Sequence, residues 1–326
     1  MEIGSFLPLD LKISGEHYFD IDNNVGRFNS ARAGIFYACG LYGCEIIWVP
    51  YYLCQSVSQF LLNHNIKVKY YNIDYNFEPV NIKQSANEAV LLVNYYGIIS
   101  NQRLQSIAKN YFNIVIDNAA SFFTEPLADY YQVYSPRKFF GVPDGCYVVG
   151  KDAGLFIKRY KQDKSSSTSL FLLQRFEHKT STIYEQRMNN EARINSSGIL
   201  RMSRLSITLL KSIDYKKIKS IRAQNFMLAH KLFGHLNLID PTKYTSDQCV
   251  PMIYPLVTID SELDEKLRKN RIYVGRLWKS VLNDVAGDSF EAYLSQFMIP
   301  IPIDQRYGPR EINYCYRIIC RLMAGE

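Results

Sequence analysis

An α/β fold on a mainly parallel sheet is the expectation that this chain's pattern sets, and three observations carry it. Helix-like and strand-like segments alternate between residues 31 and 150, several of the strand-like segments are apolar throughout, and one of these closes on a carboxylate, Asp117. Alternation at this spacing belongs to right-handed β-α-β units. In an open parallel sheet the ligand crevice lies beyond the carboxyl ends of the strands, which is where Asp117 falls.

Taken in order, residues 31–42 read as a helix with Ser30 as its N-cap, because a serine side chain can accept a hydrogen bond from the first free N–H groups. Residues 45–49 read as a strand, 55–63 as a helix and 67–71 as a strand. Residues 89–95 then read as a buried strand, 102–109 as a helix and 113–117 as a second buried strand. The polar, serine-rich run 164–182 is expected to be a mobile surface connection. Beyond it, 201–233 predicts one or two long helices, 251–259 a strand and 263–269 and 308–323 further helices. The division expected is a large domain over 1–200 and, over 201–326, a long helix leading into a smaller C-terminal α+β domain. No internal repeat is visible.

Composition narrows the class. Of 326 residues, 47% are hydrophobic and 21% charged, ordinary values for a globular chain with a large core. The formal net charge is +7, but the basic residues are dispersed, and the densest group, 211–222, is interleaved with Ile and Ser like the wet face of a helix. Nucleic acid is therefore not an expected partner, while a mild positive excess suits an anionic substrate. Seven cysteines form no Cys-x-x-Cys pair and lie mostly in apolar runs, which fits reduced core residues. Residues 1–5 do not have the basic start of a signal segment, and no run of eighteen apolar residues occurs, so no membrane span and a soluble, cytoplasmic protein are expected. The five histidines show no metal spacing, and neither GxGxxG nor GxxxxGK[ST] is present.

The residues that carry chemistry are Lys138 and Asp117, twenty-one positions apart. A lysine can hold the aldehyde of pyridoxal phosphate as a Schiff base, and a buried carboxylate can keep the pyridine nitrogen protonated, so that the ring accepts electrons from a substrate carbon. Lys138 is followed by Phe139 and Phe140, and desolvation beside these rings would favour the neutral amine that imine formation needs.

Ser135-Pro136-Arg137-Lys138-Phe139-Phe140-Gly141-Val142-Pro143-Asp144-Gly145 resembles the Schiff-base lysine segment of the DegT-type sugar aminotransferases, pyridoxal-phosphate enzymes of fold type I. The acidic-Gly pair that follows the family lysine is kept as Asp144-Gly145. Asn29-Ser30-Ala31-Arg32-Ala33-Gly34 resembles the family's phosphate turn, Trp48-Val49-Pro50-Tyr51-Tyr52 its strand-Pro-aromatic segment, and Ile116-Asp117-Asn118-Ala119-Ala120-Ser121-Phe122 the strand whose Asp touches the ring nitrogen. Arg201-Met202-Ser203, Leu277-Trp278 and Pro302-Ile303-Asp304-Gln305-Arg306-Tyr307 resemble later motifs, so the match runs along nearly the whole chain.

The resemblance implies Lys138 and Asp117 as catalytic residues and Ser30, Ala31, Arg32, Tyr52 and Ser135 as cofactor contacts. Arg32 stands where a hydroxyl residue is common, and the backbone contact there ranks above the side-chain one. Ser135 reads equally as a turn residue before Pro136. The stacking ring is assigned to Tyr52, although that position can map to Cys54 and a buried tyrosine is commonly a core residue. Two positions depart from the family: Ala120 replaces a glutamine, and Ile199 an asparagine that reaches the partner subunit's phosphate. The activity implied is amino transfer to a nucleotide-linked keto-sugar from an amino-acid donor such as glutamate, in a homodimer serving polysaccharide biosynthesis. The departures leave one other reading, a catalytically degenerate binding or scaffold protein of the same fold.

Overall fold

The computed structural model describes residue 7, residues 9–18 and residues 23–325. The N-terminal stretch read for a signal segment lies outside them.

The chain opens with β1 (Val25–Phe28), α1 (Ala31–Leu41), β2 (Ile46–Pro50), α2 (Gln55–Asn63), β3 (Lys67–Ile73) and β4 (Pro79–Val80). It continues through β5 (Glu88–Val93), α3 (Asn101–Ala108), β6 (Ile114–Asp117), β7 (Tyr131–Tyr134) and β8 (Cys146–Val149). Two helices, α4 (Leu170–Gln174) and α5 (Tyr184–Ser196), precede α6 (Arg204–Lys211) and α7 (Tyr215–Phe233). The last elements are β9 (Ile253–Val257), α8 (Leu263–Lys269), α9 (Phe290–Phe297), β10 (Met298–Pro302) and α10 (Pro309–Met323).

Eight strands form one sheet in the order β1-β8-β7-β6-β5-β2-β3-β4. The five central strands β7, β6, β5, β2 and β3 are mutually parallel, as alternation predicts, and β4 and β8 pair antiparallel at the two sides. β1 pairs antiparallel with β8, which is itself antiparallel to β7. Two reversals restore the direction, so β1 ends at the same carboxyl edge as β5, β6 and β7. That edge therefore receives the start of α1 as well as Asp117. β9 and β10 make a separate two-stranded antiparallel sheet.

The expected helices and strands from residue 31 to 117 are all present, with one shortened. The strand expected over 89–95 stops at Val93, because Asn94 turns the chain: its Oδ1 accepts from the Ile99 N–H at 3.1 Å and its Nδ2 donates to Asn118 Oδ1 at 3.0 Å. Residues 201–233 form two helices, with Asp214 capping the second through Lys217 N–H. The serine-rich run is more than a connection. Ser165 is buried and donates to Ser203 Oγ at 2.7 Å, and 166–174 form helical turns, because local serine hydrogen bonds can satisfy a backbone that periodicity leaves unassigned.

One continuous apolar core holds the large sheet and the C-terminal elements together, running from Ile35, Leu91 and Ile116 to Phe226, Tyr254, Ile301 and Ile319. A second, aromatic-rich core gathers Tyr18, Phe122, Phe123, Phe139, Phe140, Met202 and Leu210 under the Lys138 segment. Burying such rings fixes their backbone, since removing one from a core costs roughly 3–5 kcal/mol. Among the described residues no helix is long and apolar enough to cross a membrane.

Candidate active site

Asp117 is the last residue of β6 and is buried. Its Oδ1 accepts the N–H of Ala119 at 2.8 Å. Burial raises its pKa above the usual carboxylate range, opposed by the positive charge of Lys138 and by that N–H. A carboxylate held this way is suited to a cationic partner, because a positive group placed against it would offset the desolvation.

Lys138 closes the 3-10 turn Pro136–Lys138, which follows β7 directly, so it arises at the same edge as Asp117 and lies within electrostatic reach of it. The expectation that Phe139 and Phe140 desolvate this lysine is corrected. Both rings are buried in the aromatic core, whereas Lys138 is exposed, because a tight turn sends neighbouring side chains in different directions.

Ser30 caps α1 as expected, with extended backbone (φ −151°, ψ 154°) and its Oγ accepting the Ala33 N–H at 3.4 Å. The next residues, Ala31 and Arg32, are half-buried. Arg32 has Nε and Nη2 buried without a hydrogen-bond partner, and its guanidinium lies over the Phe60 ring at 5.5 Å. Burial and the nearby charge of Arg137 lower its pKa, while Cys54 and Glu191 act in the other direction. Arg137 pairs with Glu191 on α5, and its Nε is also buried without a partner. Two guanidinium groups with unused donors at the positive end of a helix form a place for an anion.

The other candidates separate. Ser135 is buried, and its carbonyl accepts the Lys138 N–H at 3.4 Å, so it braces the turn. Tyr52 sits wholly in the core, its hydroxyl 2.8 Å from that of Tyr96 and its ring edge-on to Trp278 at 4.7 Å. Cys54 is half-buried, and its electrostatic influence on Arg32 places it on the anion side. Ala120 presents its carbonyl to Gly97, and Ile199 packs on the main core.

Asp144 has a role that the motif alone does not explain. It is fully buried, and its Oδ1 accepts the Ser203 N–H at 2.9 Å, tying the lysine segment to the start of α6. Gly145 follows with φ +138°, where a Cβ would sit 3.0 Å from Pro136 Cγ and 3.3 Å from Met202 Cε. Its N–H donates to the Asn29 carbonyl at 2.9 Å, which brings the α1 turn and the lysine segment together.

Solved structures share this architecture. The sugar aminotransferase CalS13 from Micromonospora echinospora is similar with a TM-score of 0.62 and 13% identity, over 91% of this chain and 86% of its own. The chain has the fold of the sugar aminotransferases. A DegT DnrJ EryC1 StrS aminotransferase from Brucella abortus gives 0.61 at 10% identity over 91% and 85% of the two chains, and NtdA from Bacillus subtilis with bound cofactor PMP gives 0.63 at 12% over 92% and 73%. In sequence, no family model and no curated protein matches. Two surface clefts lie elsewhere: one is lined by Asn101, Glu125 and Lys219 among others, the second by Arg103 and Lys243, and neither includes Asp117 or Lys138. Among the described residues no group of three or more His, Cys, Asp or Glu is placed to hold a metal.

Arg137 and Glu191 were not singled out from the sequence. They are 54 residues apart, and nothing local marks them as neighbours.

Proposed function

We propose that the chain is a pyridoxal-phosphate-dependent aminotransferase that moves an amino group from an amino acid, with glutamate the first donor to test, to a nucleotide-linked keto-sugar. The observation that carries this reading is the meeting, at one sheet edge, of a buried carboxylate, a lysine and a guanidinium pair with unused donors at a helix N-terminus. These residues fit the cofactor: the orphaned donors of Arg32 and Arg137 suit its phosphate, and Asp117 suits a protonated ring nitrogen. When bound, pyridoxal phosphate supplies an aldehyde that condenses with amines and a ring that takes up electrons.

Each residue then has one task. Arg32, Arg137 and the N–H groups opening α1 hold the phosphate, with Ser30 shaping the turn. Asp117 keeps a proton on the pyridine nitrogen. Lys138 Nζ would hold the aldehyde and, when free of it, would carry the proton of the donor α-carbon. The net positive charge suits a diphosphate-linked sugar. All seven cysteines are free, which supports a cytoplasmic setting, and a homodimer in surface-polysaccharide synthesis completes the reading.

The test is an absorption spectrum with added pyridoxal phosphate, then glutamate, for wild type, Lys138→Ala and Arg32→Met. Wild type is expected to develop a lysine-dependent band that glutamate discharges. Lys138→Ala should not form it and should lose turnover by roughly a thousandfold or more. Arg32→Met should bind the phosphorylated cofactor about tenfold or more weakly while leaving pyridoxal binding almost unchanged, as removal of charged hydrogen bonds predicts. Undiminished transamination by Lys138→Ala would sink the proposal, and no band in wild type would favour the scaffold reading.

A further inference from the structure

Arg222 on α7 is 2% exposed, and among the described residues it forms no salt bridge. Burying an unpaired cation is costly unless its donors are satisfied. Here Nε donates to Gln305 Oε1 at 2.9 Å, Nη1 donates to the Met252 carbonyl at 3.2 Å, and the guanidinium carbon lies 4.4 Å from the centre of the Phe139 ring. Gln305 passes the contact to the backbone, its Nε2 donating to the Phe139 carbonyl at 2.6 Å.

The stretch that bears Gln305 is itself pinned to α7. Asn225 Nδ2 donates to the carbonyls of Ile303, Asp304 and Tyr307 at 3.2, 3.4 and 2.9 Å. Asp304, the carboxylate nearest in sequence to Gln305, is engaged by Arg306 at 2.7 and 2.9 Å. Phe139 is thus gripped on its ring by Arg222 and on its carbonyl by Gln305, one residue past Lys138.

We infer that Arg222 and Gln305 are positioning residues for Lys138, holding Phe139 so that the lysine leaves the turn on the Asp117 side and linking that placement to the C-terminal segment. The inference rests on Lys138 being the cofactor-holding lysine. A hydrophobic residue could fill the volume of Arg222, but only a planar donor reaches the ring face and the Gln305 amide at once.

The experiment uses the full chain with pyridoxal 5'-phosphate, borohydride trapping and peptide mapping, for wild type, Arg222→Lys, Gln305→Leu and Gln305→Glu. Gln305→Glu keeps an acceptor for Arg222, adds a charge that pairs with the guanidinium, and replaces the donation to Phe139 with an oxygen that its carbonyl repels. Wild type is expected to be trapped at Lys138. The Gln305 variants should need about tenfold more cofactor for half-saturation, the scale of one buried hydrogen bond, and should shift the pH midpoint of the lysine's absorption band. A melting temperature within a few degrees of wild type for Gln305→Glu would separate this from general loss of fold, and the Gln305 pair decides if Arg222→Lys does not fold. Trapping at Lys138 in every variant with unchanged half-saturation and pH midpoint would overturn the inference while leaving the lysine assignment intact. Failure of wild type to be trapped at Lys138 would overturn that assignment, and the inference with it.

Discussion

Asp117 bears opposing demands on one carboxyl group. Burial raises its pKa, and Lys138 together with the Ala119 N–H draws it back. A carboxyl raised on folding binds more protons in the folded than in the unfolded chain between the two pKa values. Its contribution to stability is therefore complete below the unfolded value of about 3.9 and is lost as pH rises through the folded one. Well above the unfolded value the cofactor-free protein thus carries a destabilising contribution from this position. Asp117→Asn keeps an oxygen acceptor for Ala119 and removes the charge. It is expected to stabilise the cofactor-free chain at pH 7 by on the order of 1 kcal/mol, a few degrees in melting temperature, with the gain shrinking toward pH 4. Under the proposed function the same variant should lose turnover, because an amide cannot keep the ring nitrogen protonated. Paired thermal melts at pH 7 and pH 4.5 decide this, and a variant less stable than wild type at pH 7 would contradict it. The Asp was legible because a strand end is marked by an apolar run, whereas its burial and electrostatic balance depend on β5 and β7 packing beside it.

At the scale of elements, the segment from β7 to β8 is held by contacts to α6 that sequence spacing does not display. Asp144 accepts from Ser203, the N-cap residue of α6, whose own Oγ accepts the Ser206 N–H at 3.1 Å. Asp144→Ala removes the first acceptor in a fully buried place and is expected to cost about 1–2 kcal/mol, in the range of a lost helix cap. Gly145→Ala should cost at least as much, since its backbone lies at φ +138° and the added methyl meets Pro136 and Met202. Urea titration of both variants measures this, and midpoints equal to wild type would contradict it. The helices and strands up to residue 117 were legible because their apolar period is strong, and the turn after Val93 was not because it depends on Asn94 reaching Asn118. In 164–200, α5 is largely polar, and its order comes from distant partners. Arg193 binds Asp163 at 2.7 Å, and Asn190 Nδ2 donates to the Pro143 carbonyl at 2.7 Å. Tyr52 shows the same limit: an aromatic after a strand-Pro pair reads as a stacking ring, but the pairing with Tyr96 that places it in the core is visible only in three dimensions.

For the whole molecule, we place the start of the C-terminal unit at residue 201, and the packing there argues that the two units unfold together. Arg201 bridges to both Phe28 and Gln162, its N–H donates to the Lys161 carbonyl at 2.8 Å, and the Met202 N–H donates to the Arg27 carbonyl at 3.2 Å. The junction is therefore woven into the edge of the large sheet, unlike an exposed linker. The main core crosses it as well, with Phe226, Tyr254 and Ile301 in the same apolar cluster as Ile35 and Leu91. Farther along, Glu291 Oε1 accepts the Ile73 N–H at 2.6 Å, so α9 also satisfies the backbone of β3. Separating the units would expose apolar surface on both sides and leave buried polar groups without partners, each costing about 1–3 kcal/mol. Thermal unfolding of the intact chain is accordingly expected to proceed in one transition, with near- and far-ultraviolet circular dichroism changing together. A fragment of residues 1–200 made alone should lack that transition and bind a hydrophobic dye. Two resolved transitions in the intact chain, or a cooperatively melting fragment, would show that the C-terminal unit is an appendage; the shared core instead makes its elements part of the structure that supports the Asp117 edge.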